Sequence, residues 1–130
     1  MEKNLDLECA KYGNKIVKSD KDETLITKSL GVLQEDGVYA FFLYLASRGD
    51  KEKELAKRIS QETFSLLKEK IGKIKEEGEP LPAIREKLAP DLDSLLLAKQ
   101  LLERTLVYAR YHAKAITDTK PMVDSGVVQE

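Results

Sequence analysis

The sequence predicts an all-α, single-domain bundle of about five to six helices around a short, strongly apolar central helix. Three observations carry this expectation. Val38 to Ala46 are nine consecutive apolar residues, and Tyr39, Phe41, Phe42 and Tyr44 among them are half of the chain's aromatics. A bilayer span takes about 20 apolar residues, so this run cannot cross one. A β-strand would need partner strands, and the chain offers no other good candidate. The run therefore reads as a short helix buried nearly all round, with Gly37 and Gly49 as helix-end glycines. Secondly, apolar residues elsewhere recur at helical spacing. Thirdly, 130 residues suit one domain that buries roughly two-thirds of the surface of its unfolded chain.

The elements follow in order. Leu5, Cys9, Tyr12 and Ile16 mark one face of a helix from about Lys3 to Val17. Gly13 within it costs about 1 kcal/mol against Ala, so that turn is either loose or closely packed on a neighbour. Asp20 followed by Glu23 fits a variant capping box and opens a second helix, with Leu25, Ile26, Leu30 and Leu33 inward. Gln34-Glu35-Asp36-Gly37 is a turn into the aromatic helix. Asp50 can cap a long fourth helix to about Glu77, burying Leu55, Ile59, Leu66, Leu67, Ile71 and Ile74. Gly78-Glu79-Pro80-Leu81-Pro82 is the one clear linker, because its prolines fix φ and remove donors. A short helix around Ala83 to Leu88 follows, stopped by Pro90. Asp91 then caps the last helix to about Ile116, with Leu92, Leu95, Leu96, Leu102, Leu106, Ala109 and Ala113 toward the core. The domain is thus residues 1–116, and residues 117–130 read as a flexible C-terminal tail.

Composition excludes several classes. The 22 basic and 23 acidic residues nearly cancel, which argues against a strongly basic, free-standing nucleic-acid binder but allows one basic face. Abundant Lys and Glu with few Asn, Gln and Cys is the bias of heat-loving organisms. A single Cys cannot form an internal disulfide, and no apolar leader stands at the N-terminus, so a cytoplasmic protein is expected. One His and one Cys provide no zinc site, and no Gly-rich phosphate loop occurs; no metal or cofactor is expected.

Basic residues form three stripes at helical spacing. Lys11, Lys15 and Lys18 share one side of the first helix, opposite its apolar face, with Glu8 the closest acid. Lys57, Gln61, Lys68 and Lys75 lie within about a quarter of the fourth helix's circumference. Lys99, Arg110 and Lys114 align on the last helix. Such stripes can track a phosphate backbone with salt-dependent affinity. The plainer reading is a solvated face held by i, i+4 pairs such as Glu103 with Lys99. The Lys11/Lys15/Lys18 stripe is the strongest of the three.

Other candidates point to structure. His112 lacks an Arg partner at the spacing used by all-helical ribonucleases that pair the two on one helix, so it reads as a half-buried ring among Tyr108 and Tyr111. Asp20, Asp22 and Glu23, and Glu76, Glu77 and Glu79, lack the alternation of a calcium loop. Cys9 is a small buried hydrophobe. Four aromatics in six residues point in several directions, so most are core and one or two surface as a docking patch.

Three features give a family resemblance. A second helix, Leu25 to Leu33, follows an N-terminal one. Asp36-Gly37 then opens the run Val38-Tyr39-Ala40-Phe41-Phe42-Leu43, and the last helix reads Leu106-Val107-Tyr108-Ala109-Arg110-Tyr111-His112-Ala113-Lys114-Ala115. In these the chain resembles the small α-helical subunit of the type III-B (Cmr) CRISPR effector complex, over about Leu5 to Ala115. The resemblance implies a non-catalytic protein of antiviral defence whose copies stack head to tail along the duplex of guide RNA and target RNA. Its partners would be copies of itself, other subunits of the complex and the backbones of both RNAs, with no membrane and no small-molecule substrate. RNA contact would be independent of sequence, since base pairing does the reading. The alternative is a helical adaptor or regulatory protein that binds only other proteins. A helical nuclease centred on His112 comes third.

Overall fold

The computed structural model describes residues 3–72, 74 and 78–124, and the side chains of residues 4–72, 74 and 78–116. Among the described residues it is an all-helical bundle with no strand, as the sequence predicts. Helix α1 (Lys3–Ile16) buries Cys9, Tyr12 and Ile16. The turn after it is capped one residue earlier than expected. Ser19 is the N-cap, its Oγ accepting from the Lys21 N–H at 3.2 Å, while Asp22 accepts the N–H groups of Lys18 and Ser19 at 2.9 and 3.2 Å. Ser19 has the short hydroxyl side chain that an N-cap uses. Helix α2 (Glu23–Asp36) buries Leu25, Ile26, Ser29, Leu30 and Leu33.

Gly37, at φ 96° and ψ −175°, occupies backbone space that is essentially glycine-only and turns the chain into helix α3 (Val38–Ala46). The aromatic helix has the bounds its sequence gives, but it is not buried all round. Val38, Phe41, Phe42 and Leu45 form one covered face, while Leu43 is 49% exposed. A nine-residue helix has only one face against its neighbours, at the usual 3.6-residue period. Phe41 and Phe42 meet edge to face at 4.9 Å, and Phe42 meets Phe64 at 6.1 Å. Tyr39 and Tyr44 are half-buried, so two aromatics do reach the surface. The Tyr39 hydroxyl accepts from Arg85 at 3.0 Å, and the Arg48 guanidinium lies 4.1 Å from the Tyr44 ring centre.

Asp50 does not cap the next helix. It takes a positive φ of 53° and opens a 3₁₀ turn, Asp50–Glu52, that leads into helix α4 (Lys53–Lys70). Helix α4 stops short of Glu77 because Ile71 is extended and Gly72 follows. Ile71 and Ile74 are buried all the same. Helix α5 (Pro80–Ala83) begins within the proline segment, since Pro is tolerated in a first turn, and runs into a π-helical turn, Ile84–Leu88. Asp91 caps helix α6 (Leu92–Asp124) as expected, accepting from the Ser94 N–H at 3.3 Å and the Ser94 hydroxyl at 3.0 Å.

Helix α6 differs from expectation at both ends. Its buried stripe is Ala98, Leu101, Leu102, Thr105, Leu106, Ala109 and Ala113, while Leu92 and Leu96 are 66% and 51% exposed. Those two leucines lie on the first two turns, ahead of that buried stripe. At the other end the backbone of 117–124 is helical, where a tail was expected. Nothing between Ile116 and Pro121 breaks a helix, and Pro121 falls in the last turn, where only one ladder bond is lost. Residues 125–130 lie outside the described residues.

Helix α6 is the spine against which α1 and α2 pack. Helix α1 crosses it at Gly13, where an added Cβ would sit 2.8 Å from the Thr105 carbonyl oxygen and 2.9 Å from the Ala109 nitrogen. Of the two readings of Gly13, close packing is the one found. Polar clasps hold the same crossing. Asp6 accepts from Tyr108 Oη at 2.6 Å and from Arg104 Nε at 2.8 Å, and the Tyr108 hydrogen bond in particular holds its carboxyl below the ordinary value. Tyr12 donates to Glu69 at 2.8 Å, while Arg58 donates through Nε to the Ile16 carbonyl at 2.7 Å and through Nη2 to Asp22 at 3.1 Å. Those contacts run α1 antiparallel to α4. Burial pushes the Cys9 thiol up, its Sγ lying 3.6 Å from the Leu101 carbonyl oxygen.

Candidate nucleic-acid interface

On α4, Lys53, Lys57, Gln61, Phe64 and Lys68 fall within about 80° of the helix circumference. From Lys53 to Lys68 they cover about 22 Å of its length. Ala56 and Phe64 turn into the core, and the lysines rise beside them. A recess of ≈ 440 Å³ here is lined also by Leu45, Ala46 and Arg48 at the end of α3 and by Gly78, Glu79 and Pro80 leading into α5. A second space of ≈ 410 Å³ continues beneath the proline segment, between Phe42, Ser60 and Pro82.

The recess is cationic. Arg48, Lys53, Lys57 and Lys68 line it, against Glu79 as the acid among its described lining residues. Arg48 is held in place: it donates through Nε to the Tyr44 carbonyl at 3.2 Å and lies 3.7 Å from Glu52. Lys68 lies 5.2 Å from the Phe64 ring centre. Lys53 and Lys57 are exposed, and neither has a carboxylate within 4.0 Å among the described residues.

The other expected site residues are arranged differently. On α1, Lys11, Lys15 and Lys18 are all exposed. Lys11 pairs with Glu8 at 3.6 Å, Lys15 sits 4.5 Å from the Tyr12 ring centre, and Lys18 lies past the helix end at Ile16. Glu69, bonded to Tyr12 and 3.4 Å from Lys70, stands between this face and the α4 recess. Tyr12, Lys68 and Glu69 line one space of ≈ 500 Å³ between the two helices. On α6, Lys99 donates to the Gln34 carbonyl at 3.4 Å rather than pairing with Glu103, and Lys114 pairs with Glu23 at 3.4 Å. Arg110 is half-buried. These three brace α6 against the two ends of α2, or sit against the bundle, and form no shared face with α4. Lys57 and Lys68 do share the recess; Lys75 lies outside the described residues.

His112 is half-buried, and its ring makes no hydrogen bond among the described residues. Asp22 and Glu23 are taken by Arg58 and Lys114, and Glu76 and Glu77 lie outside the described residues. Among the described residues no group of three His, Cys, Asp or Glu could hold a metal ion, and no helix is long and apolar enough to cross a membrane.

Sequence reading missed Arg48, Lys53 and Glu79 at this site. Lys53 was open to it, being one i, i+4 step before Lys57. Arg48 and Glu79 come from other segments, so only the packing of α3 and the proline segment onto α4 reveals them. Set against known protein families, curated proteins and solved structures, the chain matches none.

Proposed function

We propose that this protein is a non-catalytic, RNA-contacting scaffold subunit, of the kind found as the small subunit of type III-B CRISPR ribonucleoproteins, acting in the cytoplasm. The observation that carries this reading is the recess on α4, where Lys53, Lys57, Lys68 and Arg48 face one lining acid. Such an arrangement binds phosphate oxygens without regard to base sequence, the division of labour expected where a guide RNA does the reading. The near-zero net charge fits, because the basic groove is local and the rest of the surface carries mixed charge suited to contact with other subunits and with further copies. Weak sites repeated along a row of copies would sum to firm RNA contact. The support for the family itself is the pattern from Asp36-Gly37 through the aromatic run, with the Tyr108 to Ala115 segment.

Tagging the protein in its native host, then identifying co-purifying proteins and sequencing co-purifying RNA, tests the proposal. Short guide RNAs with other effector subunits are the expected result. A second reading, the adaptor that binds only proteins, is favoured by Leu92 and Leu96, which expose two leucines one turn apart on α6. Protein partners without RNA in the same experiment would replace the first reading with the second.

A further inference from the structure

We infer that the protein also binds a small amphipathic anion, an unbranched alkyl carboxylate in its simplest form, and that this ligand and RNA exclude one another. The alkyl chain lies in the space of ≈ 410 Å³ beneath the proline segment, and the carboxylate lies at the near edge of the lysine recess. The binding goes beyond the RNA reading above, and only the competition rests on it. Two spaces of opposite character meet here. One is lined by Arg48, Lys53, Lys57 and Lys68. The other is lined by Phe42, Leu81 and Pro82, with no cation among its described lining residues. Ala46, Ser60, Glu79 and Pro80 line both, so the two adjoin.

Size and lining select the body of this ligand. A volume of ≈ 410 Å³ falls within the range of small-molecule sites, about 300–1,000 Å³. Each methylene that leaves water for the apolar lining strengthens binding. An alkyl chain suits the space better than a flat ring, because Phe42 is only 1% exposed and already meets Phe41 and Phe64 edge to face. Charge selects the head group. Lys57 precedes Ser60 by three residues on α4, about 4.5 Å along the axis, so a carboxylate at the junction is within its reach. Neither Lys53 nor Lys57 has a carboxylate of the protein within 4.0 Å among the described residues. The Ser60 hydroxyl adds a donor where the spaces meet. Glu79 repels the head group and turns it toward α4. A cationic head group is opposed by the same lysines. Lys57 then neutralises either this carboxylate or an RNA phosphate, and the two ligands compete.

The test titrates the full chain with hexanoate, octanoate, decanoate and octylamine, read by isothermal titration calorimetry at about 50 mM salt. Affinity should rise about threefold per added methylene. Octylamine should bind about tenfold or more weakly than octanoate. Saturating decanoate should weaken the binding of a labelled RNA duplex about tenfold. Ala46→Phe fills the junction from an exposed position, and its helix content is checked by circular dichroism. It should lower decanoate affinity about tenfold, and Lys53→Ala/Lys57→Ala should remove the preference for octanoate over octylamine. Octylamine binding as tightly as octanoate, no gain with chain length, or decanoate binding untouched by Ala46→Phe overturns the inference. RNA binding unchanged at saturating decanoate also overturns it, and leaves the RNA reading standing. Decanoate binding as expected to a chain that binds no RNA supports the carboxylate site and overturns the RNA reading together with the competition.

Discussion

At the scale of single residues, the bundle depends on a few side chains whose importance their residue type does not announce. Arg58 is one of 22 basic residues, yet it closes the C-terminus of α1 and binds Asp22 while only 15% of its side chain is exposed. Arg58→Ala leaves the Ile16 carbonyl unpaired and removes a charged hydrogen bond; the loss should be about 2–3 kcal/mol, read by urea denaturation. Arg58→Lys should recover only part of it, because one ammonium cannot make the two-sided fork. Tyr12 is a second case. Burial, and then its hydrogen bond to Glu69, pushes its hydroxyl up to about 12. The folded value is above the unfolded one, near 10, so this contribution is complete below pH 10 and is lost as pH rises toward about 12. Spectrophotometric titration should show tyrosine ionisation extending toward about pH 12, and Tyr12→Phe should remove the latest step. Neither role was legible beforehand. Periodicity places Tyr12 on the inner face, but no local pattern names Glu69 or Asp22 as partners far along the chain.

At the scale of elements, the sequence was most readable where local rules decide. The bounds of α3 follow from Gly37 and the apolar run, and the start of α6 follows from Asp91. It was least readable where packing decides. Leu92 and Leu96 continue the apolar periodicity of α6 but stay largely exposed, and α3 buries one face although its composition would suit burial all round. Gly13 shows the same division. Propensity marks it as a weak point in α1, and only the crossing with α6 explains it. Gly13→Ala would gain about 1 kcal/mol of helix propensity but would press a methyl into backbone atoms of α6, costing about 1–3 kcal/mol. A fall in melting temperature is expected. A rise would mean that α1 can move away from α6 at little cost.

At the scale of the whole molecule, charge is distributed by use. Lys99 and Lys114 on α6 are drawn to the two ends of α2, while Lys53, Lys57 and Lys68 on α4 line a recess with Arg48. Sequence spacing ranked the three stripes the other way, with Lys11, Lys15 and Lys18 first. It could not see that two distant segments would bring Arg48 and Glu79 to the row on α4. The central claim is that this row is where the protein meets RNA. The most direct measurement compares the RNA affinity of Lys53→Glu/Lys57→Glu with that of Lys11→Glu/Lys15→Glu, each against the unaltered chain at fixed low salt. The α4 pair should lose about tenfold or more, and the α1 pair less than about threefold. Equal losses, or a larger loss from α1, would contradict the account.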